Sequence, residues 1–168
     1  MWSVEPYVVR GHSMTPTFSE GDRLLVSRFR GRSFSFARGE LIVVRDGSDG
    51  ERWHLKRLIG LPREIVRQSE GVILINDEPL DEDYLGGLPA VIGLEDVVWN
   101  LGDNEYFLLG DNRSRSTDSR QRGPFGLDDI EGKVRFRYWP LHKLRFFTAP
   151  AYRSLPFTRM VYGLRPED

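Results

Sequence analysis

Apolar positions along the chain fall in strand-sized runs that mostly alternate with polar ones, and no stretch of ten residues repeats at the helical period. Tyr7–Arg10 reads as a strand entering a polar turn. Asp22–Phe29 follows Gly21 and Glu40–Arg45 follows Gly39; both are rich in β-branched or large apolar residues. Asp46 to Gly50 is a turn cluster, after which Arg52–Gly60 returns with Trp53, Leu55 and Arg57 on one face and His54, Lys56 and Leu58 on the other. Glu64–Gln68 and Val72–Asn76 form a small hairpin around Ser69-Glu70-Gly71. The chain from Asp77 to Asn104 is acidic, Gly-rich and irregular. Tyr106–Leu109 is a buried strand running into a polar loop, GDNRSRSTDSRQRG. After a turn at Asp128–Glu131, Lys133–Tyr138 alternates as a half-exposed strand does. The pattern predicts a mainly β fold with a core from 1–63 and 105–148, an inserted subdomain at 64–104 and a C-terminal tail at 149–168.

The 168 residues make one domain of ordinary size, and 39% hydrophobic with 29% charged residues suits a packed core. A formal charge of −1 gives no global attraction to nucleic acid. With no cysteine there is no disulfide, thiol nucleophile or Cys-based zinc site. No window approaches the roughly 18–20 apolar residues of a spanning helix, and MWSVEPYVVRG lacks the basic start and apolar region of a signal peptide. The expectation is a soluble chain whose membrane contact is peripheral. Of 24 basic residues only Lys56, Lys133 and Lys143 are lysines, and a desolvated Lys can act as a base where Arg cannot. From Lys133 to Pro166 there are eight cations and no acid.

In VRGHSMTPT, Gly11 permits dihedrals closed to other residues and Pro16 fixes its own φ, so Ser13 can be held at a strand end with backbone N–H groups free. That suits a nucleophile, and equally an ordinary turn. A Ser-His-Asp triad finds little support: His12 adjoins Ser13 and points away, and His54 and His142 lack a local motif. HExxH, Walker, GxGxxG and EF-hand patterns are missing, so metal and nucleotide cofactors are not expected. Lys56 remains as a base, because burial can lower a lysine pKa from ~10.4 by up to ~3–5 units; the competing reading is an exposed strand lysine. In GDNRSRSTDSR, an Asp118–Arg120 or Asp111–Arg pair could brace the loop while Ser116 or Ser114 orients the amine.

Four stretches, SMTPT from Ser13, GDRLLV from Gly21, KRLIGLP from Lys56 and GDNRSRSTDSR from Gly110, together resemble type I signal peptidases. These are membrane-associated Ser–Lys endopeptidases with an antiparallel β-sheet or barrel fold. The resemblance implies Ser13 as nucleophile and Lys56 as general base. Ser116 would position the amine, Asp118 with Arg120 would form a bracing pair, and Asp111 would be a structural acid. It implies an oxyanion hole built on the Ser13 N–H, with Gly11 where some members carry a hydroxyl. It further implies shallow pockets for small residues, Ala-x-Ala in type, lined by Tyr7, Val9, Met14, Phe18 and Leu55 beside Gly11. The substrates are then signal peptides of exported preproteins, and the place of action the extracytoplasmic face of the plasma membrane.

Two departures stand out. The usual PGD is Pro62-Arg63-Glu64, which implies a turn built differently with a structural effect. Most members also carry a transmembrane anchor before the serine, so here either the recorded start omits it or the member is anchorless. In the second case the basic, aromatic tail, with Trp139, Phe146, Phe147, Phe157 and Tyr162, could sit on an anionic bilayer. The alternatives are a cytoplasmic SOS-repressor-type self-cleaving Ser–Lys peptidase and an inactive peptide- or membrane-binding β module. The GDNR block and the lack of an Ala-Gly or Cys-Gly site before Ser13 count against the first, and the presence of Ser13 and Lys56 against the second.

Overall fold

The computed structural model describes residues 3–28, 35–46, 52–90, 95–150, 152 and 160–161. Residues 47–50 of the turn cluster, Phe29, and the tail aromatics Phe157 and Tyr162 lie outside the described residues. The fold is mainly β and antiparallel. The main strands are β1 (Ser3–Val8), β2 (Arg23–Arg28), β3 (Ser35–Phe36), β4 (Leu41–Asp46) and β5 (Arg52–Gly60). A second group follows: β6 (Ile65–Ser69), β7 (Val72–Ile75), β8 (Glu78–Pro79) and β9 (Val97–Asn100). The chain then makes β10 (Glu105–Leu109), β11 (Phe125–Gly126), β12 (Ile130–Trp139), β13 (Arg145–Phe146) and β14 (Met160–Val161). Among the described residues an eight-stranded sheet runs β1-β2-β12-β4-β5-β10-β11 with β13 on β12, and β8-β7-β6-β9 make a separate four-stranded sheet.

The uninterrupted apolar run of β4 follows from its central position. Leu41 and Val43 enter one core cluster with Val9, Met14, Phe18 and Leu55; Ile42 and Val44 enter another with Leu58, Tyr106 and Leu108. A strand buried on both faces has no solvent side to carry polar residues. A third cluster joins the sheets, with Ile59, Phe107 and Leu109 packed on Val66, Ile73 and Ile75.

Several local expectations are corrected. The first strand is Ser3–Val8 rather than Tyr7–Arg10, because it follows β2 in register from Ser3↔Arg28 to Val8↔Arg23. Within the stretch expected to be irregular, β8 and β9 form; β9 pairs with β6 and is half-exposed, so its alternation is diluted by Gly-rich and acidic flanks. The strand β12 is longer than expected, and while Arg135 is exposed, two of its charges turn inward: Lys133 is buried against Glu40 at 2.6 Å and Arg137 against Asp22 at 3.0 Å. The Pro62-Arg63-Glu64 turn places Arg63 at φ 67, the left-handed region that glycine favours. It is held as well by Glu64, which pairs with Arg38 at 2.6 Å and accepts from the Leu61 N–H at 2.7 Å.

Gly60 ends β5 where the two sheets meet. A Cβ there would lie 2.6 Å from Val66 Cγ2, 2.7 Å from Leu101 Cδ1 and 2.9 Å from Phe107 Cβ. Gly60→Ala is therefore expected to destabilise the protein by about 1–3 kcal/mol through overpacking, read as a lower urea midpoint at unchanged m-value.

Candidate active site

Ser13 stands in the turn between β1 and β2, fastened at both ends. The Val9 N–H donates to Asp22 O at 2.9 Å, the Gly21 N–H to Val9 O at 2.9 Å, and the Phe18 N–H to Met14 O at 2.9 Å. Gly11 takes φ 75, which the tight entry to the turn requires, and its N–H donates to Glu20 Oε1 at 3.4 Å. His12 is exposed and 4.0 Å from Glu20.

The polar loop after β10 closes onto this turn. The Asn112 N–H donates to the Ser13 carbonyl at 2.9 Å. Gly110 lies so close that a Cβ on it would collide with Ser116 Oγ and sit 2.6 Å from the Ser13 carbonyl oxygen. Ser13 and Ser116 thus pack on the same glycine. Lys56, 3% exposed in the middle of β5, donates from Nζ to Ser116 Oγ at 3.0 Å. The lysine is therefore in the interior, not on an exposed strand face. Ser116 Oγ thus accepts from the lysine, and its hydroxyl is among the groups that favour the charged form of Asp118. Ser114 is turned elsewhere, onto Asn112 at 2.9 Å.

Asp118 caps the single helical turn Ser119–Arg122 through a capping box with Gln121, accepts from the Gly110 N–H at 3.0 Å, and holds Arg120 at 2.8 and 2.9 Å. Burial works to raise its pKa; Arg120, the Gly110 N–H and the Ser116 hydroxyl outweigh this and hold it below the ordinary carboxylate value. Asp111 also pairs internally, but with a residue the sequence reading did not single out. It accepts from Arg57 Nε at 2.8 Å and Nη2 at 2.7 Å, and from Thr17 Oγ1 at 2.5 Å. A buried arginine on an apolar strand face needs a buried acid, and that was the available signal for Arg57.

Beside Ser13 runs a cleft of about 810 Å³, lined on one side by Tyr7, Val8, Val9 and Gly11, on the other by Trp53, His54 and Leu55, with Met14 below. The strand β1 is the terminal strand of its sheet, so its outer edge borders this cleft. The Tyr7 hydroxyl donates across the cleft to Trp53 O at 3.0 Å. Phe18, expected in the pockets, does not line the cleft. It is buried in the cluster beneath, behind Met14 and against Phe147 at 5.0 Å, because the turn at Pro16 folds it back under the serine.

Residues 1–139 match the family described as signal peptidase, peptidase S26. The chain belongs to that family. It is 36% identical over 151 residues to signal peptidase I P of Bacillus subtilis subsp. natto, covering 84% of this chain and 80% of the relative. It is 33% identical over 155 residues to the probable signal peptidase I-2 of Synechocystis sp., covering 89% and 70%. A crystal structure of a signal peptidase I from Enterococcus faecalis V583 is similar with a TM-score of 0.50 and 30% identity, over 57% of this chain and 93% of that one. The peptidase family, its antiparallel β fold and its serine endopeptidase class agree with the expectation from the four sequence blocks.

Because the folded pKa of Asp118 is depressed, its contribution to stability is complete above the unfolded value near ~3.9 and is lost as pH falls through the lower folded value. Asp118→Asn should cost about 3–5 kcal/mol at neutral pH by leaving Arg120 unpaired. It should also flatten the acid limb of stability, followed by urea denaturation from neutral pH down to the acid transition.

Proposed function

We propose that this protein removes signal peptides from preproteins with Ser13 as nucleophile and Lys56 as general base. The observation that carries this reading is the buried Lys56–Ser116 hydrogen bond, on a loop that folds against the Ser13 turn. Ser116 accepts one lysine N–H and leaves the lone pair of a neutral amine free to take the Ser13 proton.

The reaction is acyl transfer. Ser13 Oγ attacks the scissile carbonyl as its proton passes to the Lys56 amine, and the tetrahedral oxyanion is met by the Ser13 N–H. Collapse breaks the C–N bond, and the lysine ammonium protonates the leaving amine of the mature chain. Lys56, neutral again, deprotonates a water that attacks the acyl-enzyme; the signal peptide leaves as a carboxylic acid and Ser13 regains its proton. No cofactor is needed. The substrate adds as a strand along the β1 edge, facing the first half of β5, and places its small side chains against Tyr7, Val9, Met14 and Leu55, which line the cleft. Phe18 acts from behind by holding Met14.

The membrane surface is the proposed partner, on its extracytoplasmic face. No helix of the described residues is long and apolar enough to cross a membrane. The reading is supported by the outward face of β1, β2, β12 and β13. Val8, Arg23 and Trp139 lie in one row across three strands, and Val4, Leu141, Leu144 and Phe146 are exposed, Phe146 to 78%. Cations Arg23, Lys143 and Arg145 border it, and Val8 also lines the cleft. An apolar face rimmed by cations suits a bilayer with anionic headgroups.

Two experiments test these readings. In detergent, the wild type should cut a preprotein after the second Ala of an Ala-x-Ala site, and Ser13→Ala and Lys56→Met should be inert while folded; cleavage by Lys56→Met would remove the lysine from its role. In flotation, the wild type should rise with vesicles containing anionic lipid, and a Trp139→Ser, Phe146→Ser double variant should stay in the dense fraction. Equal flotation of both proteins would refute the membrane face.

A further inference from the structure

The four-stranded sheet looks like an appendage, yet the segment between its strands β8 and β9 reaches back to the loop carrying Ser116. Glu82 and Arg113 form a buried, two-pronged pair at 2.5 and 3.1 Å, with side chains 5% and 2% exposed. Arg113 Nε donates to Gly110 O at 3.0 Å and Nη1 to Ala90 O, while Arg120 Nη2 grips the Arg113 carbonyl at 2.9 Å. Tyr84 donates its hydroxyl to Glu82 Oε1 and stacks its ring 3.9 Å from the Arg57 guanidinium. Arg57 holds Asp111, the neighbour of Gly110.

These contacts close a ring: Glu82, Arg113, Gly110, Asp111, Arg57, Tyr84 and back to Glu82. Three separate parts of the chain meet in it. Gly110 packs so closely on the Ser13 carbonyl and Ser116 that any shift of it changes their spacing. A movement at Glu82 is therefore passed through Arg113 to the glycine that sets the spacing of the two serines.

We infer that Glu82 and Tyr84 are positioning residues, which make the inserted segment a working part of the peptidase by fixing the Gly110–Ser116 loop against Ser13 and Lys56. The inference rests on the Ser–Lys reading for its catalytic consequence, but not for its mechanical one. Neither side chain lines the cleft beside Ser13, so neither contributes to substrate affinity. Misplacing reacting groups by an ångström from a distance costs up to about a hundredfold in rate.

The test uses the full chain. Glu82→Gln keeps the shape of the side chain and removes its charge; Tyr84→Phe keeps the stacked ring and removes only the hydroxyl, so it retains the fold even if the first variant does not. With a detergent-solubilised preprotein, kcat should fall about ten- to a hundredfold for Glu82→Gln at unchanged KM, and severalfold for Tyr84→Phe. Hydrogen exchange at the Gly110, Asn112 and Arg115 amides should speed up in both, with the amides of β4 unchanged. Unchanged kcat and exchange would overturn the inference, as would a loss of activity that only tracks the folded fraction or a rise in KM alone. An inert wild type would sink the Ser–Lys reading instead, and the exchange rates would then decide the mechanical claim by themselves.

Discussion

The buried pair of Asp111 with Arg57 is the interaction on which the site depends. Arg57 follows Lys56 in β5, so one strand supplies both the cation that bonds Ser116 and the cation that holds Asp111. Burial works against the Arg57 charge, and the Asp111 carboxylate more than restores it. Thr17 donates to the same carboxylate, which ties the serine turn, the central strand and the polar loop to one group. A charge sealed away from water can be kept only with its partner, so the three segments are locked in mutual register.

Around that lock the acids divide the work by what they are given to hold. Asp111 secures the loop to the sheet, Asp118 secures its far end and spends one acceptor on the Gly110 N–H, and Glu64 shapes the turn that leads to the second sheet. All three have arginine partners. The near-exclusive use of arginine for positive charge has a physical reason here: a planar fork matches a buried carboxylate with two parallel hydrogen bonds, which an ammonium does not.

The main sheet was legible because β4 and β10 are apolar runs next to glycines and β5 alternates up to Gly60, and the hairpin of β6 and β7 because Glu70-Gly71 suits the two left-handed dihedrals of a tight turn, found at φ 47 and φ 86. The short β9 was hidden because only one of its faces is covered. Of the site, Ser13, Lys56, Ser116 and Asp118 stand in compact blocks and could be singled out. Glu82, by contrast, sits in an acidic stretch that looks like solvated surface, and Arg113 among several arginines in one loop. Which of several like charges turns inward depends on a partner far along the chain, and local pattern carries no record of that distance. Phe18 shows the same limit, since being near the serine in sequence did not put it in the cleft.

Among the described residues no strand pairs with the outer edge of β1, and such an edge has a cost outside the reaction. A row of free backbone groups accepts any extended chain, whatever its side chains, including the edge of a second molecule. Pro6 sits in the middle of that strand, and proline is tolerated at such an edge where its missing N–H faces outward. An intruding strand then meets a gap in the donor row and can be held only over a short span. The same interruption sets a short reading frame for whatever is bound: only a few residues can be gripped in register, and discrimination falls to the depth of the floor at Val9 and Met14.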